Sequence, residues 1–275
     1  MIDLLQRNAM RLVLAGMAVT FGIVVVGLFL ELPAYVERLD LIGLVLIVVG
    51  LWMLFFAPGG DLHGDPVVVA SPVTGRWLAM NSPASKVPSH GVRAYGQAFA
   101  IDLVHEPLDG TTRPSFGSGS GMSAPADYPA FGRPVHAMID GTVVRAHDRQ
   151  RDHRTRTRFW SVGVMMLEGV LRELRGSDGV VGNHVVIDRG DGVFALVAHL
   201  RKGSATVRPG DRVVAGDVIG SCGNSGNTTE PHVHAQLMDR ARPSAARGLP
   251  MAFRDVVIDG EPVTGLPANA SHLVG

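Results

Sequence analysis

Two uncharged hydrophobic runs lie within the first 58 residues, separated by a short polar loop. The first run, residues 12–30, approaches the roughly 20 residues that a helix needs to cross a bilayer. The second run covers residues 41–58. The pattern predicts a transmembrane hairpin over residues 1–58 in the lipid bilayer, with spans at about 12–31 and 41–57. A cleavable signal peptide is the alternative for the first run.

The pattern then changes to a polar linker over residues 59–65, followed by short runs of β-branched residues. Glycine, proline and aspartate, which favour tight turns, separate these runs. Examples are VVVASPV, GTVVRA, GNHVVID, GVFALVAHL and PHVHAQL. The pattern predicts a mainly β domain over residues 66–275.

Two segments interrupt the β pattern. Residues 107–129 are rich in Gly, Ser and Pro and predict a long surface loop. Residues 159–175 predict a helix packed over one edge of the sheet, because apolar residues recur at helical spacing at Trp160, Val164, Leu167, Leu171 and Leu174. Contact with the cell wall or with lipid headgroups is the alternative, because four arginines precede the helix at Arg151, Arg154, Arg156 and Arg158.

Composition narrows the chemistry. The formal net charge is zero and only 18% of residues are charged, which excludes an electrostatic nucleic-acid binder. The single cysteine, Cys222, excludes an intramolecular disulfide and a cysteine-based zinc site. A metal bound by this chain must therefore use His, Asp or Glu side chains.

A pair of histidines two residues apart, His232 and His234, ends the run GNSGNTTEPHVH. Side chains at this spacing share one face of a strand. One imidazole can hold a metal while the other faces a substrate beside that metal. A solvated strand face is the alternative interpretation of the pair taken alone.

The order of four motifs, GNHVVID, ALVAHL, VRPGDRVVAGDVIG and GNSGNTTEPHVH, resembles peptidase family M23. These lysostaphin-like or LytM-like zinc endopeptidases cut peptide bonds in peptidoglycan. The similarity runs from about Pro66 to Asp239. It implies an antiparallel β-sandwich with a small helical insertion, one zinc ion (Zn2+) per chain and a peptidoglycan peptide as substrate.

The resemblance also implies roles for individual residues. His234, Asp102 and His90 become the zinc ligands, and His199 and His232 become the catalytic histidines. The sequence departs from the family pattern at the first two ligands, because eleven residues instead of three lie between His90 and Asp102. A bulged loop can accommodate this spacing, since ligands must be close in space rather than in sequence.

Three residues keep alternatives open. His105 competes with His90 as the first ligand. Asn183 and Gln236 either orient the ligands or serve the structure of the strands.

These features predict a membrane-anchored zinc metalloendopeptidase that hydrolyses peptidoglycan with a zinc-activated water. A non-catalytic scaffold or activator of cell-wall hydrolases is the alternative. The paired Val-x-x-Gly-Asp turns also resemble lipoyl-type carriers and sugar phosphocarriers, but the turns lack the lysine that a lipoyl carrier needs. Protein partners are left open.

The substrate predicts a multi-pass protein of the cell membrane with its peptidase domain outside the cytoplasm, since the cross-linked wall lies there. Arg7 and Arg11 precede the first span and Arg38 lies in the loop, an excess that favours cytoplasmic ends. The excess is a single arginine, and large domains translocate largely regardless of charge.

Overall fold

The computed structural model describes residues 8–55, 64–173 and 176–275. Its N-terminal part contains helix α1 at Ala9–Gly27, the single turn α2 at Ala34–Glu37 and helix α3 at Leu39–Phe55. Part of the predicted linker, and the last residues of the second predicted span, lie outside the described residues. Both long helices form where the uncharged runs predict them.

Helices α1 and α3 pack closely because glycines lie where they meet. A Cβ added at Gly50 would lie 2.6 Å from the side chain of Val13. A Cβ at Gly43 would collide with the Thr20 side chain, and one at Gly16 would collide with the backbone of Gly43. Small residues let helix backbones approach closely enough for extensive van der Waals contact, the packing mode of helices in membranes.

Only α1, among the helices of the described ranges, is long and apolar enough to cross a membrane by length and composition. It is long enough to be an anchor or a signal sequence. Helix α3 has 17 residues within the described part of the chain, Leu39–Phe55, and that part falls short of this length. The two-span hairpin is therefore unconfirmed, and a multi-pass location is not supported.

The rest of the chain is mainly β, as predicted. Strands β1 to β7 are Val67–Val69, Arg76–Met80, Ile101–His105, Pro134–His136, Gly141–His147, His184–Asp188 and Phe194–Ala198. Strands β8 to β14 are Arg212–Val213, Val218–Ser221, Val233–Met238, Gly248–Leu249, Met251–Ile258, Glu261–Gly265 and His272–Val274. Helix α4 is Phe159–Glu173, and the short helix α5 is Ser177–Val181.

Twelve strands form one sheet in the order β1-β12-β14-β2-β3-β10-β7-β6-β5-β8, with β11 on β10 and β13 on β12. Strands β4 and β9 form a separate two-stranded ladder. The predicted antiparallel β-sandwich is found in a coarser form: one large sheet dominates, and its pairings are antiparallel except that β1 pairs with β12 in parallel. Strand β1 lies at the edge of the sheet, far from β12 in sequence. Because no hairpin joins these two strands, they can pair in parallel.

Alternation along the central strands sends one set of side chains into the main core. Ile101, Leu103, Val185, Val197 and Leu237 belong to this set. Residues from β4 and β9 complete the same cluster, so the small ladder covers this face. The opposite face of the central strands carries Asp102 and His234, and the alternation thus separates the core from the chemistry.

Helix α4 begins at the predicted residue, but its packing differs from the prediction. Trp160, Val164, Leu167 and Leu171 are exposed instead of covering a sheet edge. Leu174 lies outside the described residues. Helical periodicity defines a side of a helix without specifying what covers that side, which explains the error. The predicted loop over 107–129 contains a short 3-10 turn at Pro125–Asp127 and no strand.

Two loops meet through glycines. Gly182 has a φ of 76°, and a Cβ there would lie 2.6 Å from the carbonyl carbon of Ser225. Gly226 has a φ of 79°, and a Cβ there would lie 2.6 Å from the backbone nitrogen of Gly182. Any larger residue at either position needs both a left-handed backbone and space that another backbone occupies.

We predict that Gly43→Leu separates α1 from α3, because the new side chain occupies the contact with Thr20. Gly22→Leu is the matched control, since a Cβ at Gly22 meets nothing within 4 Å. Cysteines placed at Ala9 and Met53, with Cys222→Ser, report the contact through cross-linking with a short bismaleimide. Equal cross-linking in the Gly43 and Gly22 variants would contradict close packing.

We also predict that Gly182→Ala lowers the free energy of unfolding by about 2 kcal/mol or more, through backbone strain and collision together. Gly192→Ala is the control, because Gly192 shares the positive φ, 88°, with open space around it. Strain alone costs the control about 1 kcal/mol. Thermal or denaturant unfolding of the full chain in detergent measures both, and equal losses would rule out the close approach.

Candidate metal centre

A row of polar side chains crosses the face of the sheet opposite the main core. Asp102 on β3 pairs with His234 on β10, and His234 pairs in turn with Ala198 on β7. His199 follows β7 directly. The sheet therefore brings together three segments that are far apart in sequence.

His90, Asp102 and His234 offer ligand atoms that all lie within 4.8 Å of one another. His90 Nε2 is 3.0 Å from Asp102 Oδ2, and His234 Nδ1 is 2.8 Å from Asp102 Oδ1. His90 reaches this point from a loop. The bulge between His90 and β3 includes Tyr95 and Gly96, both at positive φ, and it absorbs the eleven-residue spacing.

Outer hydrogen bonds fix the orientation of both imidazoles. The Ser89 hydroxyl donates to the Gln97 carbonyl and so accepts from His90 Nδ1, at 3.0 Å. The Gln236 amide nitrogen donates to the Tyr95 carbonyl, which leaves its Oε1 to accept from His234 Nε2 at 2.8 Å. In the neutral rings these partners select the tautomers whose remaining lone pairs point at Asp102, and a ring that gains a proton there donates it in a hydrogen bond to the carboxylate.

The carboxylate of Asp102 is the charged centre of the cluster. Burial alone would raise its pKa, but the charges of His90 and His232 and hydrogen bonds from His234 and His90 hold the pKa well below its usual range. Asn81 also donates to Asp102 Oδ2, at 2.8 Å. Burial lowers the pKa of His234, yet the hydrogen bond to Asp102 outweighs burial and raises it. The site therefore favours a negative carboxylate with positive charge beside it.

His199 and His232 flank this cluster. The His199 ring centroid lies 4.8 Å from that of His232 and 5.6 Å from that of His234. Strand alternation would point His199 into the core, but its φ of 62° turns the side chain to the other face. This left-handed conformation is uncommon for a residue other than glycine, and it is found at functional sites.

Backbone carbonyls hold both flanking rings in one tautomer. His199 Nδ1 donates to the Ser225 carbonyl at 2.9 Å, and His232 Nδ1 donates to the Glu230 carbonyl at 2.8 Å. The Nε2 atoms keep the remaining lone pairs, and His232 Nε2 lies 3.6 Å from Asp102 Oδ1. Burial, with the charges of His232 and His234, holds the pKa of His199 well below its usual range. His199 is therefore neutral, with a lone pair on Nε2.

His105 lies on the opposite face of β3 from Asp102. It is buried, and its ring centroid is 4.8 Å from that of Trp77, a core residue. The two-residue period of the strand thus separates it from the cluster. Asn183 bridges the backbone of Gln150 and Leu200 and contacts no ligand, whereas Gln236 holds His234.

Sequence reasoning did not identify several contributors. Asn81 is one of them. The row of polar side chains also continues to His184, which pairs with Ala198. Beyond it lies His147, whose ring stacks on that of His184 with centroids 5.8 Å apart. Burial lowers the pKa of His184 to about 4, so this ring is neutral. The strand-end position of His184 in GNHVVID was the available signal, and no local motif marks Asn81.

Ion pairs join the Gly/Ser/Pro-rich loop, residues 107–129, to the segments next to β3 and β10. Arg113 pairs with Glu230 at 2.6 Å and with Glu106 at 3.2 Å. Because the Glu230 carbonyl accepts from His232, this ion pair fixes the segment that holds a flanking histidine.

Comparison with known proteins agrees with the motif-based resemblance. Residues 164–246 match the model of Peptidase family M23. This segment includes His199, His232 and His234, while His90 and Asp102 precede it.

The peptidoglycan DD-endopeptidase ShyA of Vibrio cholerae serotype O1 is 41% identical over 73 residues. That match covers 26% of this chain and 16% of the relative, so the chain spans about a sixth of its length. Among solved structures, the catalytic domain of lysostaphin from Staphylococcus simulans has a TM-score of 0.33 at 22% identity, covering 57% of this chain and 77% of that chain. A putative peptidase M23 from Pseudomonas aeruginosa has a TM-score of 0.32 at 18% identity, covering 70% of this chain and 51% of that chain. The chain thus contains a peptidase family M23 domain, with the family match at residues 164–246.

Proposed function

We propose that this protein is a membrane-anchored zinc metalloendopeptidase that hydrolyses peptide bonds in peptidoglycan. The observation that carries the proposal is the convergence of His90, Asp102 and His234 beside two further histidines. The family match and the peptidoglycan endopeptidase among the relatives support a peptidase acting on the wall. The substrate is part of the proposal, since the matched segment is a small share of that relative.

The residues of the cluster fit zinc. Two imidazole nitrogens and one carboxylate are a common protein contribution to catalytic zinc sites, which keep a further position open. Two nitrogen lone pairs and a carboxylate facing one another repel unless a proton or a metal cation lies between them. Zinc bound there supplies Lewis-acid chemistry, because it acidifies a water and polarises a carbonyl.

We assign the proton transfers to the flanking histidines. His199 Nε2 is a neutral acceptor and takes a proton from the attacking water. His232 Nε2 faces the same space and stabilises charge that develops on the carbonyl oxygen. Ser225 and Glu230 hold these rings through their carbonyls, so neither imidazole must reorient during the reaction.

A non-catalytic scaffold is not favoured, because no member of the predicted set is missing. The His232 Nε2 lies beside the cluster and the His199 ring lies 5.6 Å from that of His234, which a purely structural site does not require. A carrier domain needs no convergent histidines.

We place the domain outside the cytoplasm, with α1 as the anchor. The cross-linked wall lies beyond the membrane, and a hydrolase facing the cytoplasm has no substrate there. Helix α1 has the length and composition for this role.

We predict that the full chain retains about one zinc per molecule after dialysis, as expected for a three-ligand site. Asp102→Ala and His234→Ala should lose the metal, and His90→Ala should weaken its binding, as measured by elemental analysis. His105→Ala is the matched control and should retain zinc, because His105 lies on the other face of β3. Retention by the Asp102 and His234 variants would rule out the site, and loss in the His105 variant alone would reassign the first ligand.

We predict that His199→Ala and His232→Ala retain zinc but hydrolyse peptidoglycan roughly 100-fold more slowly or worse, the usual scale for removing a general acid or base. His136→Ala on β4, remote from the cluster, is the control and should hydrolyse normally. Release of cross-linked peptides from purified peptidoglycan measures the rates. Near-normal hydrolysis by both variants would refute the catalytic assignment, and zinc binding without hydrolysis by the parent would favour the scaffold.

A further inference from the structure

Helix α4 presents its apolar side to the outside of the domain. Phe159, Met166 and Leu167 are 87%, 68% and 67% exposed. The same outward side includes Trp160, Val164, Val170 and Leu171. A surface helix of a globular domain normally turns this side inward. An exposed apolar patch of this kind marks an interaction surface.

Polar contacts hold the helix in this inverted orientation. Glu168 faces the domain and pairs with Arg156 at 3.0 Å and Arg172 at 3.1 Å. Glu173 accepts a hydrogen bond from the hydroxyl of Tyr95. Both acidic residues of α4 are therefore turned inward and paired, which leaves the outward side free of negative charge.

Positive charge and a further aromatic ring border the apolar side. Arg151, Arg154 and Arg158 precede the helix and are exposed. Phe116, from the Gly/Ser/Pro-rich loop, is exposed and packs edge-on against Phe159 with ring centroids 5.5 Å apart. Aromatic and aliphatic side chains beside arginines characterise helices that lie in a membrane interface.

The far end of α4 lies close to the N-terminal helices. Ala94 packs against the cluster formed by Ala9, Val13 and Met53, at the end of the α1 and α3 pair from which the chain leads to the β domain. The next residue, Tyr95, contacts Glu173 at the end of α4. If α1 enters a bilayer, α4 lies at the level of its surface.

We propose that α4 lies in the headgroup region of the membrane that α1 enters, with its apolar side toward the acyl chains and its arginines on anionic headgroups. The inference rests on the anchoring part of the proposed function. A lipid surface fits better than the wall, because sugar strands and short peptides offer no acyl surface for seven large apolar side chains. Membrane-bound α4 holds the metal centre near the bilayer, since Tyr95 contacts Glu173 and its carbonyl binds Gln236.

The test uses the full chain with Cys222→Ser, reconstituted into vesicles of phosphatidylcholine and phosphatidylglycerol. A fluorophore is attached at Met166→Cys, and brominated acyl chains quench emission only from groups that reach them. Val218→Cys on β9 is the matched control, as an exposed apolar residue outside the helix. We expect most of the emission at 166 to be lost and that at 218 to persist.

A second arm identifies the source of any quenching. With the fluorophore at Val170→Cys, the double variant Met166→Gln, Leu167→Gln should recover most of the emission while its zinc content stays unchanged. Lowering the phosphatidylglycerol fraction should also reduce quenching, because arginine attraction to anionic lipid adds to apolar burial.

Three outcomes would overturn the inference. Emission at 166 that persists in inserted protein rules out lipid contact, and cross-linked dimers in that case assign the surface to a second copy. Quenching equal at 166 and 218 shows nonspecific adsorption. A chain extracted from vesicles by carbonate refutes the anchor on which the inference rests. Zinc and hydrolysis are measured on the same sample, so quenching without either supports the membrane contact and refutes the enzyme.

Discussion

The buried negative charge of Asp102 determines the arrangement of the residues around it. A carboxylate on an otherwise apolar strand is costly to bury unless charge and hydrogen bonds compensate it. Four groups supply that compensation, from a loop, from the neighbouring strand and from the turn after β2: His90, His232, His234 and Asn81. The strained loop before β3 and the outer contacts of Ser89 and Gln236 orient those groups toward the carboxylate. Without the carboxylate, the imidazoles would lose the hydrogen bonds and the charge attraction that bring them together.

Local order made part of this arrangement predictable. The alternation of apolar residues identified a mainly β domain, and the two-residue spacing of His232 and His234 placed both on one face. His90 was identified through resemblance, and its approach to Asp102 depends on a bulged loop whose geometry no spacing rule specifies. Asn81 and His184 reach the row through pairing between distant strands, and single-sequence patterns carry no information about that pairing. His199 shows a further limit, because one residue at positive φ reverses the face that alternation assigns.

Helix α4 illustrates a different limit of sequence patterns. Its periodicity correctly indicated a helix, and its first residue was correct, yet the apolar side faces outward. The orientation of the helix depends on the pairing of Arg156 with Glu168, twelve residues apart, which holds the polar side of the helix against the domain. Hydrophobic periodicity reports that one side avoids water and is equally satisfied by a protein core or by another apolar medium.

The position of the row within the sheet has a mechanical consequence. In the large sheet the β3–β10 ladder joins one half, β1-β12-β14-β2-β3, to the other half, β10-β7-β6-β5-β8. The ladder has three registered pairs, and the central pair is Asp102 with His234. A cation held by both residues is a cross-link over the seam between two halves of the domain. Its binding free energy adds directly to the resistance of that seam to opening. Metal supply would then determine how long the folded domain resists proteolysis, independently of the rate at which the domain itself hydrolyses peptide bonds.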